Sequence, residues 1–253
     1  MTWDPDVYMK FASERTRPAI ELLARVPVAH PKRVIDLGCG PGNSTAILCQ
    51  RWPDAEIEGL ESSPEMIAKA KESGAPANFV EGDVETWSPR TRYDVVFSNA
   101  TLHWIAHHEA LVPRLFGFVA EGGALAFQVP QNFHEPSHVL MREVANSGPW
   151  AEKLKNARQI HVHEPDFYYD VLAPHAKGLD IWETEYLQVL EGEDPVLAWV
   201  SGTGLRPFVQ PLEPVEREYF LAEYRHLLSE AYPRRADGKT LFPFRRMFVV
   251  ATR

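Results

Sequence analysis

The stretch Val34-Ile35-Asp36-Leu37-Gly38-Cys39-Gly40-Pro41-Gly42-Asn43-Ser44-Thr45 decides the fold. Its apolar run, Val34 to Leu37, reads as a buried strand. The strand runs into a loop with glycine at 38, 40 and 42. Ser44 to Trp52 reads as a helix, with Asn43 or Ser44 as its N-cap. A strand, a glycine turn and a helix form half of a nucleotide-binding unit. The glycines let a ligand lie against bare backbone, and the helix start offers free N–H groups to an anionic ligand group.

A dinucleotide loop has the spacing G-x-G-x-x-G, seated for a pyrophosphate. Here the spacing is G-x-G-x-G, and Asp36 precedes the first glycine by two residues. A carboxylate at that strand end suits a cationic ligand and repels a pyrophosphate. S-adenosylmethionine carries an ammonium, a sulfonium and a ribose but no phosphate. With these residues the stretch resembles motif I of the class I S-adenosylmethionine-dependent methyltransferases. Without such a ligand it would be a glycine turn of some other α/β protein.

The strands that follow agree with this resemblance. Glu56 to Glu61 alternates as a second strand, and Glu61 falls 23 residues after Gly38. An acid at that strand end would accept hydrogen bonds from ribose hydroxyls. Ser62-Ser63-Pro64-Glu65 caps the next helix, with Met66, Ile67 and Ala70 on its inner face. Asn78 to Val84 is a third strand with its loop. The methyltransferase pattern implies that Asp83 meets an adenine amino group and Val84 lies beside the ring. Tyr93 to Ala100 is the fourth strand. Its loop, Ser98-Asn99-Ala100-Thr101-Leu102-His103-Trp104, passes the place where the methyl group should lie. Asp36, Glu61, Asp83 and Ser98 thus converge on the carboxyl edge of one open sheet, where such folds bind ligands. The expected cofactor-binding set is Asp36, Gly38, Cys39, Gly40, Asn43, Glu61, Ser62, Met66, Asp83, Val84, Ser98, Asn99, Ala100 and Trp104. His103 is a candidate general base that reads more readily as a structural residue.

His107 to Phe118 reads as a helix, Glu121-Gly122-Gly123 as a turn, and Ala124 to Val129 as the fifth strand. From Pro130 to Leu179 the pattern is irregular, with helices expected over His138–Ala145 and Phe167–Leu172. Asp180 to Leu190 alternates as a sixth strand. Asp194 to Val200 and Glu213 to Ala231 are helical, Ser201 to Pro207 is a turn, and Phe242 to Ala251 is the last strand. Asp4-Pro5 opens a helix carrying Tyr8 and Phe11, which either pack on the core or form a lid.

The fold expected is α/β and Rossmann-like: a seven-stranded, mostly parallel sheet with an antiparallel last strand and a helical lid. One methyltransferase domain, 1–253, would carry an N-terminal lid over 1–30. Substrate-side insertions would lie at 130–179 and 191–235.

Composition bounds the partners. Hydrophobic residues make up 45% of the chain, enough for a full core. The net charge of −9 argues against nucleic acid, which needs a basic face. The two cysteines, Cys39 and Cys49, suggest no disulfide framework. Cys39 reads as a small filler. No apolar run approaches the ~18–20 residues of a membrane helix, and the N-terminus has no signal core. The histidines lack metal-ligand spacing, so no metal is expected. A cytoplasmic protein follows, monomeric or weakly homo-oligomeric.

An anionic substrate would need a local arginine cluster. Residues 234–253 hold six basic side chains against the single acid Asp237, although any one of them could equally be a solvated strand edge. Beyond motif I, nearly the full length resembles the bacterial trans-aconitate 2-methyltransferases. The resemblance rests on Trp3-Asp4-Pro5 with Tyr8, Arg15-x-Arg17-Pro18-Ala19, Gln50-Arg51-Trp52-Pro53, Glu135-Pro136-x-His138, and Gly202-Thr203-Gly204-Leu205-Arg206-Pro207. Glu61 departs mildly, since Asp would serve as well. The resemblance implies a carboxyl O-methyltransferase that esterifies one carboxylate of trans-aconitate and leaves S-adenosylhomocysteine. Arg206, Arg245 and Arg246, with Arg15, Arg17 and Tyr8 behind them, are the expected substrate-binding residues for this small polycarboxylate. A carboxylate is already ionised at neutral pH, so no general base is needed. The open alternatives are a methyltransferase for another small acid, a dinucleotide-dependent oxidoreductase, and a non-catalytic nucleoside-binding module.

Overall fold

The computed structural model describes residues 16–157, 162–202 and 204–253. The expected first helix with Tyr8, Phe11 and Arg15 lies outside the described residues, as do His161 and Thr203. Helix α1, Arg17–Ala24, has Pro18 in its first turn, where a missing N–H costs nothing. It buries Pro18, Ala19, Ile20, Leu22 and Leu23.

The chain then alternates as expected of an α/β protein. Strand β1 is Arg33–Leu37, α2 is Asn43–Arg51, β2 is Glu56–Glu61 and α3 is Pro64–Glu72. Strands β3, Asn78–Glu81, and β4, Tyr93–Asn99, follow, then a 3₁₀ turn at Leu102–Trp104 and α4, His108–Gly117. Strand β5 is Val119–Pro130. Helices α5 (Pro136–Ser147), α6 (Ala151–Leu154) and α7 (Pro165–Leu172) precede β6, Gly178–Leu190. Helices α8 (Pro195–Ser201), α9 (Arg206–Val209) and α10 (Pro214–Ala231) lead to β7, Thr240–Thr252.

The seven strands form one sheet in the order β3-β2-β1-β4-β5-β7-β6. The β1–β2, β1–β4, β2–β3 and β4–β5 pairings are parallel. Strand β7 is antiparallel. Near its C-terminal end the Gly122 N–H donates to the Arg253 carbonyl, and near the other end the Gln131 N–H donates to the Arg245 carbonyl. The order reverses at β1, so the carboxyl ends of β1 and β4 flank the switch point where ligands bind.

The described residues fall into two compact units, one within 1–129, 160–183 and 246–253, the other within 130–159 and 184–245. The first unit packs Ile35, Leu37, Val96, Leu125, Phe127, Tyr168 and Val249 in its main core. Cys39, Ile67, Ala70 and Phe79 form a smaller cluster. The second unit has its own core of Met141, Val144, Trp150, Val200, Phe220, Tyr224 and Phe242.

Four helices start on an acid followed by proline: Glu135-Pro136, Glu164-Pro165, Asp194-Pro195 and Glu213-Pro214. Proline pre-sets the helical φ, and the acid favours the positive end of the helix dipole. At α10 the motif is complete: Glu213 and Glu216 form a capping box.

Several boundaries differ from those read in the sequence. The N-cap of α2 is Gly42, in the left-handed conformation at φ 91°, and not Asn43 or Ser44. The Ser44 hydroxyl is committed to Asp36 instead. Strand β3 stops at Glu81, because Asp83 starts a turn whose carbonyl accepts the Thr86 and Trp87 N–H groups. The residues Glu121-Gly122-Gly123 do not end a helix before a strand; they lie inside β5 as an irregularity. Tyr93 pairs with Val119 and Val95 with Ala124, so extra residues bulge out there. A side chain at Gly123 would stand 2.4 Å from the Asp94 carbonyl oxygen, so only glycine fits that approach. The expected turn at Ser201–Pro207 contains the start of α9, with Arg206 its first residue.

Candidate active site

Parallel pairing brings the carboxyl ends of β1, β2 and β4 to one edge. The glycine loop leaves β1 there and is pinned at once: the Gly38 and Cys39 N–H groups both donate to the Leu60 carbonyl, at 2.7 and 3.0 Å. Gly38 sits at φ +70°, and a Cβ on it would lie 2.1 Å from Thr101 Cγ2. The loop after β4 therefore crosses against bare backbone, and Thr101 Oγ1 donates to the Gly38 carbonyl at 3.0 Å.

Asp36 is fully buried. Its Oδ2 accepts the hydroxyls of Ser44 and Thr45, both at 2.7 Å, which ties β1 to the first turn of α2. Its Oδ1 has no hydrogen-bond partner. Burial pushes the carboxyl pKa up to about 6, against the lowering effect of the two hydroxyls, and Glu61 adds to the rise. A buried carboxylate oxygen without a donor is costly unless a ligand satisfies it.

Glu61, at the end of β2, joins two loops. One oxygen accepts the Gly40 N–H at 3.1 Å; the other accepts the Ser63 N–H at 2.9 Å and the Ser62 hydroxyl at 3.3 Å. Ser63 in turn caps α3 by accepting the Met66 N–H. The carboxylate is thus held rigid at the strand end, with Met66 half-buried beside it in the first turn of α3. The Cys39 thiol is buried, and its pKa is pushed up to about 12, chiefly by burial and then by Asp36 and Glu61. It stays protonated and packs where a Gly59 side chain would otherwise meet it at 2.9 Å. Asn43 is exposed at the start of α2.

Asp83 is exposed and accepts the Glu85 N–H at 2.8 Å; Val84 is buried beside it. The Ser98 hydroxyl is buried and donates to the Leu37 carbonyl at 2.9 Å, so its side chain fastens β4 to β1. Asn99 and Ala100 are half-exposed, and Ala100 adopts a left-handed φ of 55° that a non-glycine residue rarely takes. His103 is buried with its ring centroid 4.7 Å from that of Trp104, which is half-exposed.

The arginines separate. Arg245 and Arg246 are neighbours on β7, and alternation sends their side chains to opposite faces. They therefore do not form the single cluster that the sequence suggests. Arg245 lies 3.8 Å from Glu135 and 3.7 Å from Glu185. Arg246 is buried and donates to Gln128 Oε1 at 3.1 Å. Arg206 is exposed, and among the described residues its guanidinium has no ion pair. Arg17 pairs with Glu21 one helical turn on, at 2.8 Å.

The sequence reading missed Gln128, Thr101 and the pair His108–Tyr168. The signal for Gln128 was a lone amide in the apolar run Ala124 to Val129. The post-β4 loop is held from behind by His108, whose Nε2 lies 2.9 Å from the Leu102 carbonyl and whose Nδ1 lies 2.6 Å from the Tyr168 hydroxyl. Among the described residues no group of His, Cys, Asp and Glu could hold a metal ion, and no helix is long and apolar enough to cross a membrane.

Comparison with known proteins gives a family and a fold. The family described as a methyltransferase domain matches residues 11–183. The chain is 47% identical over 253 residues to a trans-aconitate 2-methyltransferase of Azoarcus sp. (strain BH72), covering 100% of this chain and 99% of that one. It is 48% identical to the trans-aconitate 2-methyltransferase of Methylobacterium radiotolerans, covering 98% and 97% of the two. Among solved structures it resembles the YcgJ protein from Bacillus subtilis, with a TM-score of 0.60 at 12% identity, over 92% of this chain and 97% of that one.

Proposed function

The chain belongs to the trans-aconitate 2-methyltransferase family, and on that premise we propose that it transfers the methyl group of S-adenosylmethionine to a carboxylate of trans-aconitate. The products are the monomethyl ester and S-adenosylhomocysteine. The observation that carries this reading is identity approaching half of all positions along the entire chain.

The residues present fit the cofactor. The unsatisfied Asp36 Oδ1 at the glycine loop suits a nearby ammonium. Gly38, Cys39, Gly40 and Asn43 would supply backbone to the amino-acid part. Glu61, held rigid by three donors, retains lone pairs for the ribose hydroxyls. Asp83 and Val84, with Ser62 and Met66 opposite, would take the adenine. Asn99, Ala100 and Trp104 would line the methyl end, with Ser98 behind them fastening β4 to β1. S-adenosylmethionine, when bound, supplies an electrophilic methyl whose bond to sulfur breaks with its electron pair left on sulfur.

The protein's contribution is to hold an acceptor oxygen in line at roughly 3–3.5 Å. No residue need take a proton, because the acceptor carboxylate is ionised. The carboxylates that do not react would pair with cations, for which Arg206, Arg245, Arg15 and Arg17, with Tyr8, remain the assignment. Arginine makes strong bidentate pairs with carboxylates. Placed on the reacting oxygen, it would lower that oxygen's nucleophilicity. The net charge of −9 supports a small-molecule acceptor over nucleic acid, and we assign the reaction to the cytoplasm, in a monomer or weak homo-oligomer.

The test is methyl transfer from labelled S-adenosylmethionine to a panel of acids: trans-aconitate, cis-aconitate, isocitrate, citrate and a monocarboxylate. Selective labelling of trans-aconitate is expected, with Arg206→Ala raising its KM. Binding of S-adenosylhomocysteine without transfer to trans-aconitate would overturn the acceptor assignment.

A further inference from the structure

A line of polar side chains runs through the first unit from β7 to the carboxyl end of β4. Arg246 is 7% exposed and Gln128 is fully buried. Arg246 donates to Gln128 Oε1 at 3.1 Å, and Gln128 Nε2 donates to Asn99 Oδ1 at 2.7 Å. Asn99 and Gln128 are direct neighbours in the parallel β4–β5 register, so their side chains share a face.

The direction of this line is fixed by chemistry. Arginine has donors only. Arg246 therefore turns the Gln128 carbonyl toward itself, which turns the Gln128 NH₂ toward Asn99. That NH₂ must meet an acceptor, so Asn99 presents Oδ1 to it and directs its own Nδ2 donors away. The usual ambiguity of amide orientation is thereby removed at both residues. Asn99 is half-exposed at the end of the strand, and no described residue accepts from its Nδ2. The charged start of the line polarises the bonds that follow it.

Resting on the proposed methyl transfer, we propose that the Asn99 amide is the hydrogen-bond donor to the reacting carboxylate of the acceptor, and that Gln128 and Arg246 are positioning residues that hold it with N–H outward. A neutral amide suits this task. It orients a carboxylate without the grip of a cation, so the attacking oxygen keeps its nucleophilicity. It also loses little when the carboxylate becomes an uncharged ester. Arg246 in this arrangement acts through Gln128 and not on the substrate. The sequence places Asn99 with the cofactor and Arg246 with the substrate; in this arrangement Asn99 meets the substrate and Arg246 stands behind it.

The decisive variant is Gln128→Glu in the full-length protein. The carboxylate introduced there still accepts from Arg246 but has no N–H for Asn99. Asn99 then turns to donate to that carboxylate and presents its own carbonyl oxygen outward, against the acceptor carboxylate. Gln128→Glu should lower kcat/KM for trans-aconitate about tenfold to a hundredfold, the size of one hydrogen bond to a charged group. S-adenosylhomocysteine affinity, measured by calorimetry, should be unchanged. Asn99→Ala should show a similar loss, and the double variant should be no worse than Asn99→Ala alone. Additive losses would overturn the proposal. So would unchanged turnover in Asn99→Ala, or a loss of S-adenosylhomocysteine binding that matches the loss of turnover. Should Gln128→Glu fail to fold, Asn99→Asp at the half-exposed position takes its place, with a loss exceeding that of Asn99→Ala expected and an equal or smaller loss overturning the idea. If the wild type methylates a different acid, the acceptor assignment fails separately, and the same variants are read with that acid.

Discussion

Thr101 occupies the space that a side chain at Gly38 would need: a Cβ there would lie 2.1 Å from Thr101 Cγ2 and 2.2 Å from its Oγ1. The glycine loop and the post-β4 loop, 63 residues apart, are thus fitted to each other through one missing side chain and one hydrogen bond of 3.0 Å. Gly38→Ala should destabilise the protein by about 1–2 kcal/mol for the left-handed backbone and about 1–3 kcal/mol more for overpacking. Urea unfolding reads this directly; an unchanged midpoint would mean that the two loops do not meet in this way.

Asp36 makes stability and cofactor binding respond to pH in opposite senses. Its folded pKa of about 6 lies above the ordinary 3.8. Between those values the folded protein holds a proton that the unfolded chain has lost. Stability from this group is therefore present at low pH and lost as pH rises through the window, by about 3 kcal/mol in all. A bound ammonium favours the carboxylate, so S-adenosylhomocysteine should bind more tightly as pH rises toward 6, by up to about tenfold per unit. Asp36→Asn should flatten both profiles. Calorimetric titrations at several pH values check this, and a slope retained in Asp36→Asn would assign the proton elsewhere.

His103 is buried against Trp104 and has no part in the proposed chemistry. His103→Asn should change kcat/KM by less than about tenfold, whereas loss of a general base costs about 10²–10⁴-fold. Steady-state rates with trans-aconitate decide between the two, and a loss in the larger range would reinstate His103 as the base.

Tyr168 steadies the post-β4 loop through His108. The Leu102 carbonyl only accepts, so His108 Nε2 carries the proton and its Nδ1 accepts from the Tyr168 hydroxyl. Tyr168→Phe removes that hydrogen bond from the buried ring, at a cost of about 1–3 kcal/mol. Amide exchange should quicken at Trp104 and Ile105, whose N–H groups close the Leu102–Trp104 turn. Unaltered exchange there would show that the loop does not depend on this hydroxyl.

Much of this protein was determined by local sequence. The run Val34–Leu37 before three glycines, the alternation Glu56–Glu61 and the apolar Tyr93–Phe97 each identify a strand, because burial and backbone conformation there depend on near neighbours. Asp194 and Glu213 likewise mark helix starts, whereas the helices read from His138 and Phe167 begin earlier, at Pro136 and Pro165. The alternation of these strands with helices points to a parallel sheet, and with it to Asp36, Glu61, Asp83 and Ser98 at one edge; the strand order itself is a property of the tertiary structure.

The tertiary structure alone decided what those side chains do. Asp36 reads as a ligand-facing acid, yet one of its oxygens is spent on Ser44 and Thr45, because the first turn of α2 packs over it. Ser98 reads as part of a binding loop, but its hydroxyl closes on Leu37 from the adjoining strand. Arg245 and Arg246 look like a pair in the sequence and are divided by the two-residue period of the strand. The Arg246–Gln128–Asn99 line joins residues from three strands, with Arg246 118 residues beyond Gln128. Hydrogen-bond partners of this kind are set by sheet register and burial, which no local pattern encodes.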